Sequence, residues 1–419
     1  MHDKYCSLKR SSALNSRLLN SRFKNPDSFD LDRYPKTRDP NLRAWNAADE
    51  YLITYIRENE DLFNLEDTLI INDQFGALCV CLSDSKPWTW TDSYLSDRAR
   101  INNFRANNLD LDSKSLRFES QSGLLTIAES DSLKDDSQIP EIFSTIIIRV
   151  PKHLSLLEFQ LSAIRSKIGK DTQILAAGMT KEIHNSTIAL FEKWIGPTTT
   201  SLAVKKSRLI LPQFSEEVNI EPLKFEKHYL IQSLNDCAEE LTICGMPGVF
   251  SRDRIDLGTR VLLDNLPPLE QPANLIDLGC GAGVIGAAIA QAYPQINITL
   301  TDESRLAIES TLRTFSINNL SKPTVIQTNA LDKITKNRYD YVLCNPPFHQ
   351  QNTQTLSIAN RMFRQSSECL KQNGKLLVVA NRHLKYGVQL KKYFECVRML
   401  SDDKKFIVWI ATNPIGKQA

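Results

Sequence analysis

A glycine-rich segment in the second half of the chain has the composition of a ligand-binding turn. Residues 274–276 are apolar enough to form a buried strand, and residues 277–286 follow as a turn that opens a helix. Gly279, Gly281 and Gly283 let the backbone turn tightly and let a ligand lie against a helix N-terminus. The last two also begin a G-x-G-x-x-G pattern, which is a weak signal for dinucleotide binding because it has many false positives. The segment therefore predicts a small-molecule site.

Two acidic residues stand at the predicted carboxyl ends of neighbouring strands. Asp277 places a carboxylate where an ammonium group can bind, such as that on the methionine part of S-adenosylmethionine, whereas it would repel a pyrophosphate. Asp302 ends the next predicted strand, 297–301, where an acid can accept hydrogen bonds from both hydroxyls of a ribose. Alternatively, Asp302 has a structural role as the N-cap of a helix that begins near Arg305. The two roles are compatible.

A third polar residue follows the next short strand. Asn329 comes after the predicted strand 324–327, where it suits a contact with an adenine edge or, about as well, a plain turn. These observations together predict one cofactor site. Its residues are Asp277, Gly279, Cys280, Gly281, Gly283, Asp302 and Asn329.

The most specific short motif is Cys344-Asn345-Pro346-Pro347-Phe348, after the predicted strand 339–343. An amine conjugated to a planar ring is a poor nucleophile until two acceptors draw its nitrogen toward tetrahedral geometry. The side-chain oxygen of Asn345 and the carbonyl of Pro346 supply such acceptors, and the prolines fix φ. Phe348 offers a flat face for stacking a base. We predict Asn345, Pro346 and Phe348 as catalytic residues, with no general base needed; the alternative is a rigid turn that ends a strand.

Composition limits the classes of protein that the chain can form. A length of 419 residues predicts two or three domains. A net charge of +2 excludes a uniformly polybasic nucleic-acid binder, so any RNA must bind to a local basic patch. The nine cysteines show no C-x-x-C pair, which indicates reduced thiols and no metal site. The apolar stretches are strand-sized, so we expect a cytoplasmic protein with no membrane contact.

The two halves of the chain resemble each other, which predicts two tandem Rossmann-like α/β folds. The alternative is that any two such halves share this periodicity. The matching segments keep their order: 71–76 with 276–281, 91–109 with 301–320, 146–151 with 341–346, and 164–176 with 369–380. We predict these domains: a flexible basic tail, 1–31, or alternatively a basic arm on RNA; a first copy, 32–205; a β-like linker, 206–245; and a second copy, 246–419.

The first copy has lost the residues that carry chemistry in the second. Gln74 and Phe75 stand opposite Gly279 and Cys280, and Val150 stands opposite Asn345. We expect this degenerate copy to bind RNA and orient the substrate, although each basic residue alone fits a solvated face. The candidate phosphate contacts are Lys152, Lys167, Lys170, Lys181, Lys193, Lys205, Lys206 and Arg208.

Longer motifs give the chain a family resemblance. It resembles the ribosomal RNA guanine-N2 methyltransferases that pair a degenerate N-terminal copy with an active C-terminal one, and most of all the ribosomal RNA large subunit methyltransferase G family, sister of the 16S rRNA methyltransferase C family. The family motifs are 247–252 with Asp256-x-Gly258, then 344–350 and 379–384. The segments that resemble the large-subunit enzyme are 33–35, 44–52, 72–78 and 196–200.

The resemblance implies two class I methyltransferase folds, S-adenosylmethionine as the cofactor, and methyl transfer to N2 of one guanine in 23S rRNA, either naked or in an assembling large subunit. Asp277, Gly279 and Gly281 would hold the methionine end and Asp302 the ribose. We expect a monomer. A stretch at Phe250-Ser251 precedes the core and would close over the cofactor, or Ser251 would cap a helix, which the sequence favours.

Several alternatives stay open at this point. One is methylation of a guanine in 16S rRNA, and another is methylation of a different conjugated amine, such as adenine N6 or a protein glutamine. A non-enzymatic ribosome-assembly factor would require the second site to be inactive too. A nicotinamide dehydrogenase leaves residues 345–348 unexplained.

Overall fold

The computed structural model describes residues 24–415, except 38, 40, 112–113, 120–123, 128–137, 219–222, 233, 235–239, 348–352 and 403. The chain divides into two compact units. The first comprises residues 1–91 and 95–223, and the second comprises residues 92–94 and 224–419. Each unit is built on its own sheet.

The first unit has an eight-stranded sheet in the order β4-β3-β2-β1-β5-β6-β8-β7. Its strands are Thr68–Ile71 (β1), Trp88–Trp90 (β2), Ser115–Glu119 (β3), Leu124–Ile127 (β4), Thr145–Arg149 (β5), Gln173–Met179 (β6), Thr198–Thr200 (β7) and Ser207–Pro212 (β8). Its helices are Ala47–Glu58 (α1), Ala77–Cys81 (α2), Tyr94–Ala106 (α3), Leu154–Ile164 (α4) and Asn185–Trp194 (α5).

The second unit has a seven-stranded sheet in the order β13-β12-β11-β14-β15-β17-β16 and an antiparallel hairpin of β9 and β10. Its strands are Lys227–Ile231 (β9), Leu241–Gly245 (β10), Ala273–Leu278 (β11), Ile296–Asp302 (β12), Thr324–Gln327 (β13), Tyr339–Cys344 (β14), Leu370–Asn381 (β15), Phe394–Asp402 (β16) and Phe406–Pro414 (β17). Its helices are Leu257–Asp264 (α6), Val284–Ala292 (α7), Arg305–Ile317 (α8), Thr353–Cys369 (α9) and Tyr386–Leu390 (α10).

The two sheets share one topology, which confirms the tandem α/β fold. In each, the first strand is central and the next two extend the sheet in one direction. A further parallel pair, β5–β6 in the first sheet and β14–β15 in the second, extends it in the other before an antiparallel pair closes the edge. Strand β4 is an additional antiparallel edge of the first sheet. The β-branched run Ile146–Ile148 has no exposed face because a parallel sheet is covered on both sides.

The segment 206–245, predicted as a linker, contributes to both units instead. Strand Ser207–Pro212 pairs with β6 and β7, and its apolar Leu209 and Ile210 are fully buried in the first unit. Strands Lys227–Ile231 and Leu241–Gly245 form the hairpin of the second. These strands are short and are separated by polar residues, so the segment looks like a connection in sequence.

The predicted tail, 1–31, lies outside the described residues up to position 23. Its last part is packed, not extended: Leu31 is buried in the first unit, and the backbone N–H of Asp30 donates to the side chain of Asn107. Across the described part of the chain, we find no helix that combines the length and the apolar character needed to cross a membrane.

Candidate active site

In the second sheet, successive strands are added first on one side of β11 and then on the other. Strands β12 and β14 lie on opposite sides of β11 and run parallel to it, so the carboxyl ends of all three meet at one edge. Such a point leaves a crevice between the flanking connections, where ligands of open α/β sheets bind. The predicted residues Asp277, Asp302 and Asn345 all lie at this edge.

The glycine turn at this edge requires glycine for its backbone conformation. Gly279, Gly281 and Gly283 have φ of 75°, 54° and 76°, a region that other residues adopt only with strain. Gly283 is the N-cap of α7, and a Cβ there would lie 3.1 Å from the Cα of Thr311. The turn therefore combines left-handed backbone with close packing against α8.

Three amides at the start of the turn already have protein partners, so a ligand would not meet these N–H groups as free donors. The N–H groups of Gly279 and Cys280 both donate to the carbonyl of Thr301, at 2.8 and 3.0 Å. The N–H of Gly281 donates to Asp302 Oδ2 at 2.9 Å. The glycines thus leave space for a ligand because they carry no side chains, and these hydrogen bonds stabilise the conformation of the turn.

Asp277 carries the clearest sign of a missing partner. The side chain is 1% exposed, and Oδ2 accepts a hydrogen bond from the N–H of Gly286, at the start of α7, at 2.9 Å. Oδ1 is buried and has no hydrogen-bond partner within the described residues. Burial raises the pKa of Asp277 from 3.8 to about 7, with a smaller rise from the nearby carboxylate of Asp302. A buried carboxylate oxygen without a donor fits an ammonium group of a ligand.

Asp302 is held by the backbone, with capacity left over. Its Oδ2 accepts from Gly281 and its Oδ1 from the N–H of Ser304, and burial raises its pKa. Each carboxylate oxygen can accept a second hydrogen bond, so a diol remains a suitable ligand. The alternative role as the N-cap of the next helix belongs to Ser304, whose side chain accepts from the N–H of Ala307.

Two predicted cofactor residues make other contacts. The Cys280 thiol lies 3.4 Å from the hydroxyl of Thr311 and is buried, so only its backbone belongs to the turn. The Asn329 side chain donates to Asp332 Oδ2 at 3.0 Å, and its carbonyl accepts from the N–H of Asp332. These bonds are those of a turn, which was the alternative role of Asn329; an adenine contact stays a prediction.

Among the predicted catalytic residues, Asn345 has a side chain whose orientation is set by hydrogen bonds. Its Nδ2 donates to Thr259 Oγ1 at 2.8 Å and to Asp256 Oδ2 at 3.1 Å. Its Oδ1 is buried and has no hydrogen-bond partner in the described residues. Pro346 next to it is buried, whereas Phe348 lies outside the described residues. The amide thus presents an acceptor at the end of β14.

Asp256 and Thr259 were missed as site residues by sequence reasoning, although Asp256-x-Gly258 was noted as a motif. Asp256 is the N-cap of α6 and accepts from the N–H of Thr259 at 3.1 Å. Gly258 is needed between them, because a Cβ there would lie 2.9 Å from Asp256 Oδ2 and 3.5 Å from Asn345 Oδ1. The expectation that Ser251 caps this helix is wrong, since Asp256 does so.

Ser251 belongs instead to a segment that lies beside the glycine turn. A Cβ on Gly281 would be 3.2 Å from the carbonyl oxygen of Phe250, whose ring is 47% exposed. Ser251 has φ of 60°, its carbonyl accepts from the hydroxyl of Tyr229 at 2.8 Å, and its buried Oγ has no partner among the described residues. This arrangement supports the interpretation that the segment covers part of the cofactor site.

The first unit repeats the backbone of this site without its chemistry. Gly76 is a left-handed N-cap with φ of 82°, and it follows the end of its strand, Ile71, at the same spacing as Gly283 follows Leu278. Counted from the strand ends, Gly76 therefore takes the place of Gly283, whereas the sequence alignment set it opposite Gly281. The turn of the first unit carries Phe75, over whose ring the Arg33 guanidinium lies at 4.7 Å.

The basic residues predicted to contact RNA differ in their surroundings. Lys193 and Lys205 form ion pairs with Glu158 and Glu50 at 2.6 and 2.8 Å. The Lys167 ammonium donates to a backbone carbonyl at 2.9 Å. The exposed lysines 152, 170 and 181 remain candidates for phosphate contacts.

One group with metal-ligand composition occurs among the described residues. The ligand atoms of Glu226, His228 and Cys244 lie within 4.8 Å of one another on the β9–β10 hairpin. Arg313 Nη1 lies 3.4 Å from Glu226 Oε1, so this carboxylate already has a cationic partner.

The strand order, the glycine turn and the unpartnered carboxylate define an S-adenosylmethionine-dependent methyltransferase. Residues 20–217 match the family model described as the RLMG N-terminal domain, and residues 240–410 match the methyltransferase small domain. The chain thus combines these two domains, which agrees with the family resemblance found in its sequence. Its cofactor is S-adenosylmethionine.

A solved structure that covers nearly the whole chain has the same fold. A 16S rRNA guanine-N2 methyltransferase (RsmC) of T. thermophilus, in complex with AdoMet and guanosine, is 17% identical, covers 93% of this chain and 100% of its own, and has a TM-score of 0.67. A predicted O-methyltransferase of Agrobacterium tumefaciens is 18% identical over 39% of this chain and 82% of its own (TM-score 0.31). A methyltransferase of Pyrococcus furiosus is 14% identical over 37% and 81% (TM-score 0.32).

Proposed function

We propose that the protein transfers a methyl group from S-adenosylmethionine to the exocyclic N2 of a guanine in 23S rRNA. The observation that carries the proposal is the Asn345 amide. Its nitrogen is occupied by two acceptors, so its buried Oδ1 is left to accept a hydrogen bond at the cofactor edge of the sheet. A free acceptor at this place suits a substrate that arrives as an N–H donor.

Different residues of the chain bind different parts of the cofactor. Asp277 Oδ1 is suited to the ammonium of the methionine part, and the remaining lone pairs of Asp302 to the ribose hydroxyls. Gly279, Gly281 and Gly283 keep side chains out of the space between them. When bound, S-adenosylmethionine supplies an electrophilic methyl carbon.

Substrate activation falls to the segment after β14. Asn345 Oδ1 and the carbonyl of Pro346 accept one N–H each from the guanine amine, which turns the nitrogen lone pair away from the ring system. Phe348 stacks on the base and holds it out of its helix. The methylated nitrogen is acidic enough to lose its extra proton to water, so no side chain needs to act as a base.

Two observations support the nucleic-acid target. The neighbour that matches along its whole length is a guanine-N2 methyltransferase solved with guanosine. We propose the large subunit because the segments 33–35, 44–52, 72–78 and 196–200 resemble the large-subunit enzyme. The neighbour's own substrate is 16S rRNA, which makes a 16S guanine the second candidate.

The first unit serves as the RNA-binding half in this proposal. Its exposed lysines, the absence of an Asn345 equivalent and its altered turn all agree with a copy that no longer catalyses. We propose that the enzyme acts as a monomer in the cytoplasm on 23S rRNA, either naked or in an assembling subunit.

The test is to map N2-methylguanine in the rRNA of a strain that lacks the gene and of the same strain carrying it on a plasmid. We expect one guanine of 23S rRNA to lose and regain the modification. Loss in 16S rRNA would select the second candidate. Loss of an adenine or protein-glutamine methyl group would overturn the choice of amine, and unchanged methylation everywhere would favour an assembly factor.

A further inference from the structure

An asparagine amide can be turned by 180° with little change in shape, and the turn exchanges its acceptor for its donor. The orientation of Asn345 therefore decides whether the site binds an amine or a carbonyl. Asp256 Oδ2 lies 3.1 Å from the amide nitrogen of Asn345. An ionised carboxylate accepts hydrogen bonds and donates none, so the amide oxygen cannot face it.

A second acceptor completes the orientation. Thr259 Oγ1 lies 2.8 Å from the same nitrogen, so both hydrogens of the amide are directed into the protein. Asp256 and Thr259 are the N-cap and the third residue of α6, and their own hydrogen bond fixes their spacing. The start of α6 thus supplies two acceptors for the NH2 group of Asn345.

The first unit uses the same two helix positions in another way. Asn46 and Asp49 are the N-cap and third residue of α1, and both contact the guanidinium of Arg149 at the end of β5. The Asn46 Oδ1 to Nη2 distance is 3.2 Å, and the Asp49 Oδ1 to Nε distance is 2.7 Å. A guanidinium has five donors and no acceptor, so the Arg149 side chain cannot accept a hydrogen bond from an amine.

We propose that Asp256 and Thr259 are positioning residues that make the site select an amine over a carbonyl, by keeping Asn345 Oδ1 toward the substrate. The proposal rests on the proposed function and deepens it. Guanine carries both an N2 amine and an O6 carbonyl on one edge. With the amide reversed, Asn345 would donate to O6 or to a similar acceptor and would hold N2 in the wrong place.

Paired variants of the full-length chain separate this role from helix capping. Asp256→Ser keeps an N-cap side chain but is too short to reach Asn345, and Thr259→Val keeps the shape without the acceptor. Asp256→Asn and Thr259→Ser are the matched controls. In Asp256→Asn the capping hydrogen bond from the Thr259 N–H keeps the amide oxygen at the position of Oδ2, and serine keeps the hydroxyl, so each variant retains an oxygen that can accept from the Asn345 amide.

We expect Asp256→Ser and Thr259→Val to lower kcat on rRNA by about 10- to 100-fold, because the acceptor is misplaced for part of the time. S-adenosylmethionine affinity should stay within about 3-fold and the melting temperature within a few degrees of the parent. Asp256→Asn and Thr259→Ser should keep kcat within about 3-fold. Wild-type kcat in Asp256→Ser and Thr259→Val would overturn the proposal.

A second readout separates the failure of this proposal from the failure of the proposed function. In the ¹⁵N-labelled protein, the side-chain NH2 signal of Asn345, assigned by its loss in Asn345→Asp, should exchange slowly with solvent. It should exchange faster in Asp256→Ser. Slow exchange in both proteins would refute the role of Asp256 whatever the substrate is. Slow exchange in the parent and no guanine methylation would leave the amide orientation intact and refute only the guanine target.

Discussion

Arg149 and Asp49 form an ion pair inside the first unit, with Nε 2.7 Å from Oδ1 and with side chains only 2% and 3% exposed. Arg149 also donates to the carbonyl of Ala177 at 3.0 Å. Two charges at this depth are stable only together, because each alone would be desolvated without compensation. The pair holds the start of α1 against the end of β5, in the part of the first unit that corresponds to the Asn345 site of the second.

We therefore expect Arg149→Ala to lower the free energy of unfolding by about 3–5 kcal/mol, because it leaves Asp49 buried and unpaired. Urea unfolding followed by tryptophan fluorescence measures this, since Trp45, Trp88, Trp90 and Trp194 lie in the first unit. The double variant Arg149→Met with Asp49→Leu is the control, and it should recover most of the loss. Equal stability of Arg149→Ala and the parent would contradict a buried pair.

Replacing Asn345 tests the proposed reaction directly. Asn345→Ala removes the acceptor and should lower methyl transfer by about 10²–10³-fold, as expected for one hydrogen bond aligned with the reacting group. S-adenosylmethionine affinity, measured by calorimetry, should change by less than about 3-fold. Asn265→Ala is the control, since the Asn265 side chain donates to the backbone carbonyl of Val261 at the other end of α6. Full activity of Asn345→Ala would rule out the acceptor role.

The titration of Asp277 predicts a pH dependence of cofactor binding. Its pKa is raised from 3.8 to about 7 by burial, so the empty site holds a protonated carboxyl below pH ~7. An ammonium ligand requires the ionised form. Affinity for S-adenosylmethionine should therefore rise about 10-fold per pH unit between about pH 5 and pH 7 and then level off, with a proton released on binding at the lower pH.

The raised pKa of Asp277 also makes the stability of the unliganded protein depend on pH. A carboxyl whose folded pKa lies above the unfolded value stabilises the fold at low pH and loses this contribution as the pH rises from about 4 to about 7. Asp277→Asn should remove both effects and weaken cofactor binding most above pH ~7, where the parent carboxyl is ionised. A flat affinity profile in the parent would show that Asp277 does not meet a cation.

The glycine turn predicts different effects at two positions with the same backbone conformation. Gly279→Ala should cost about 1–2 kcal/mol of stability from left-handed strain alone, because the added Cβ meets only Met362 Cε, at 3.5 Å. Gly283→Ala should cost more, because its Cβ also meets Thr311 Cα at 3.1 Å. Thermal unfolding of the two variants measures the difference, and equal losses would refute close packing of the turn against α8.

Charge reversal tests the RNA role of the first unit. Lys152→Glu, Lys170→Glu and Lys181→Glu combined should weaken rRNA binding and reduce the slope of log affinity against log salt by about 0.7–0.9 for each phosphate that the protein no longer neutralises. Filter binding at several salt concentrations measures the slope. Lys322→Glu, an exposed lysine of the second unit, is the control. An unchanged slope in the triple variant would place the RNA-binding surface elsewhere.

Local signals along the chain were enough to predict the tandem fold and to place Asp277, Asp302 and Asn345 at one edge of the second sheet. Strand ends, glycines and the acids Asp277 and Asp302 can be recognised in sequence, because a parallel strand, its turn and the following helix are adjacent in the chain. The order of the matching segments predicted one topology twice, and the two sheets have it.

Contacts between distant segments, in contrast, are defined only once the chain is folded. The pairing of Ser207–Pro212 with the first sheet, and the bonds of Asn345 to Asp256 and Thr259, join residues far apart in sequence. The engagement of the glycine-turn amides by Thr301 and Asp302 is likewise a cross-strand feature. The chain shows which amide is at the site, but the direction in which it points depends on an acceptor that folding brings to it.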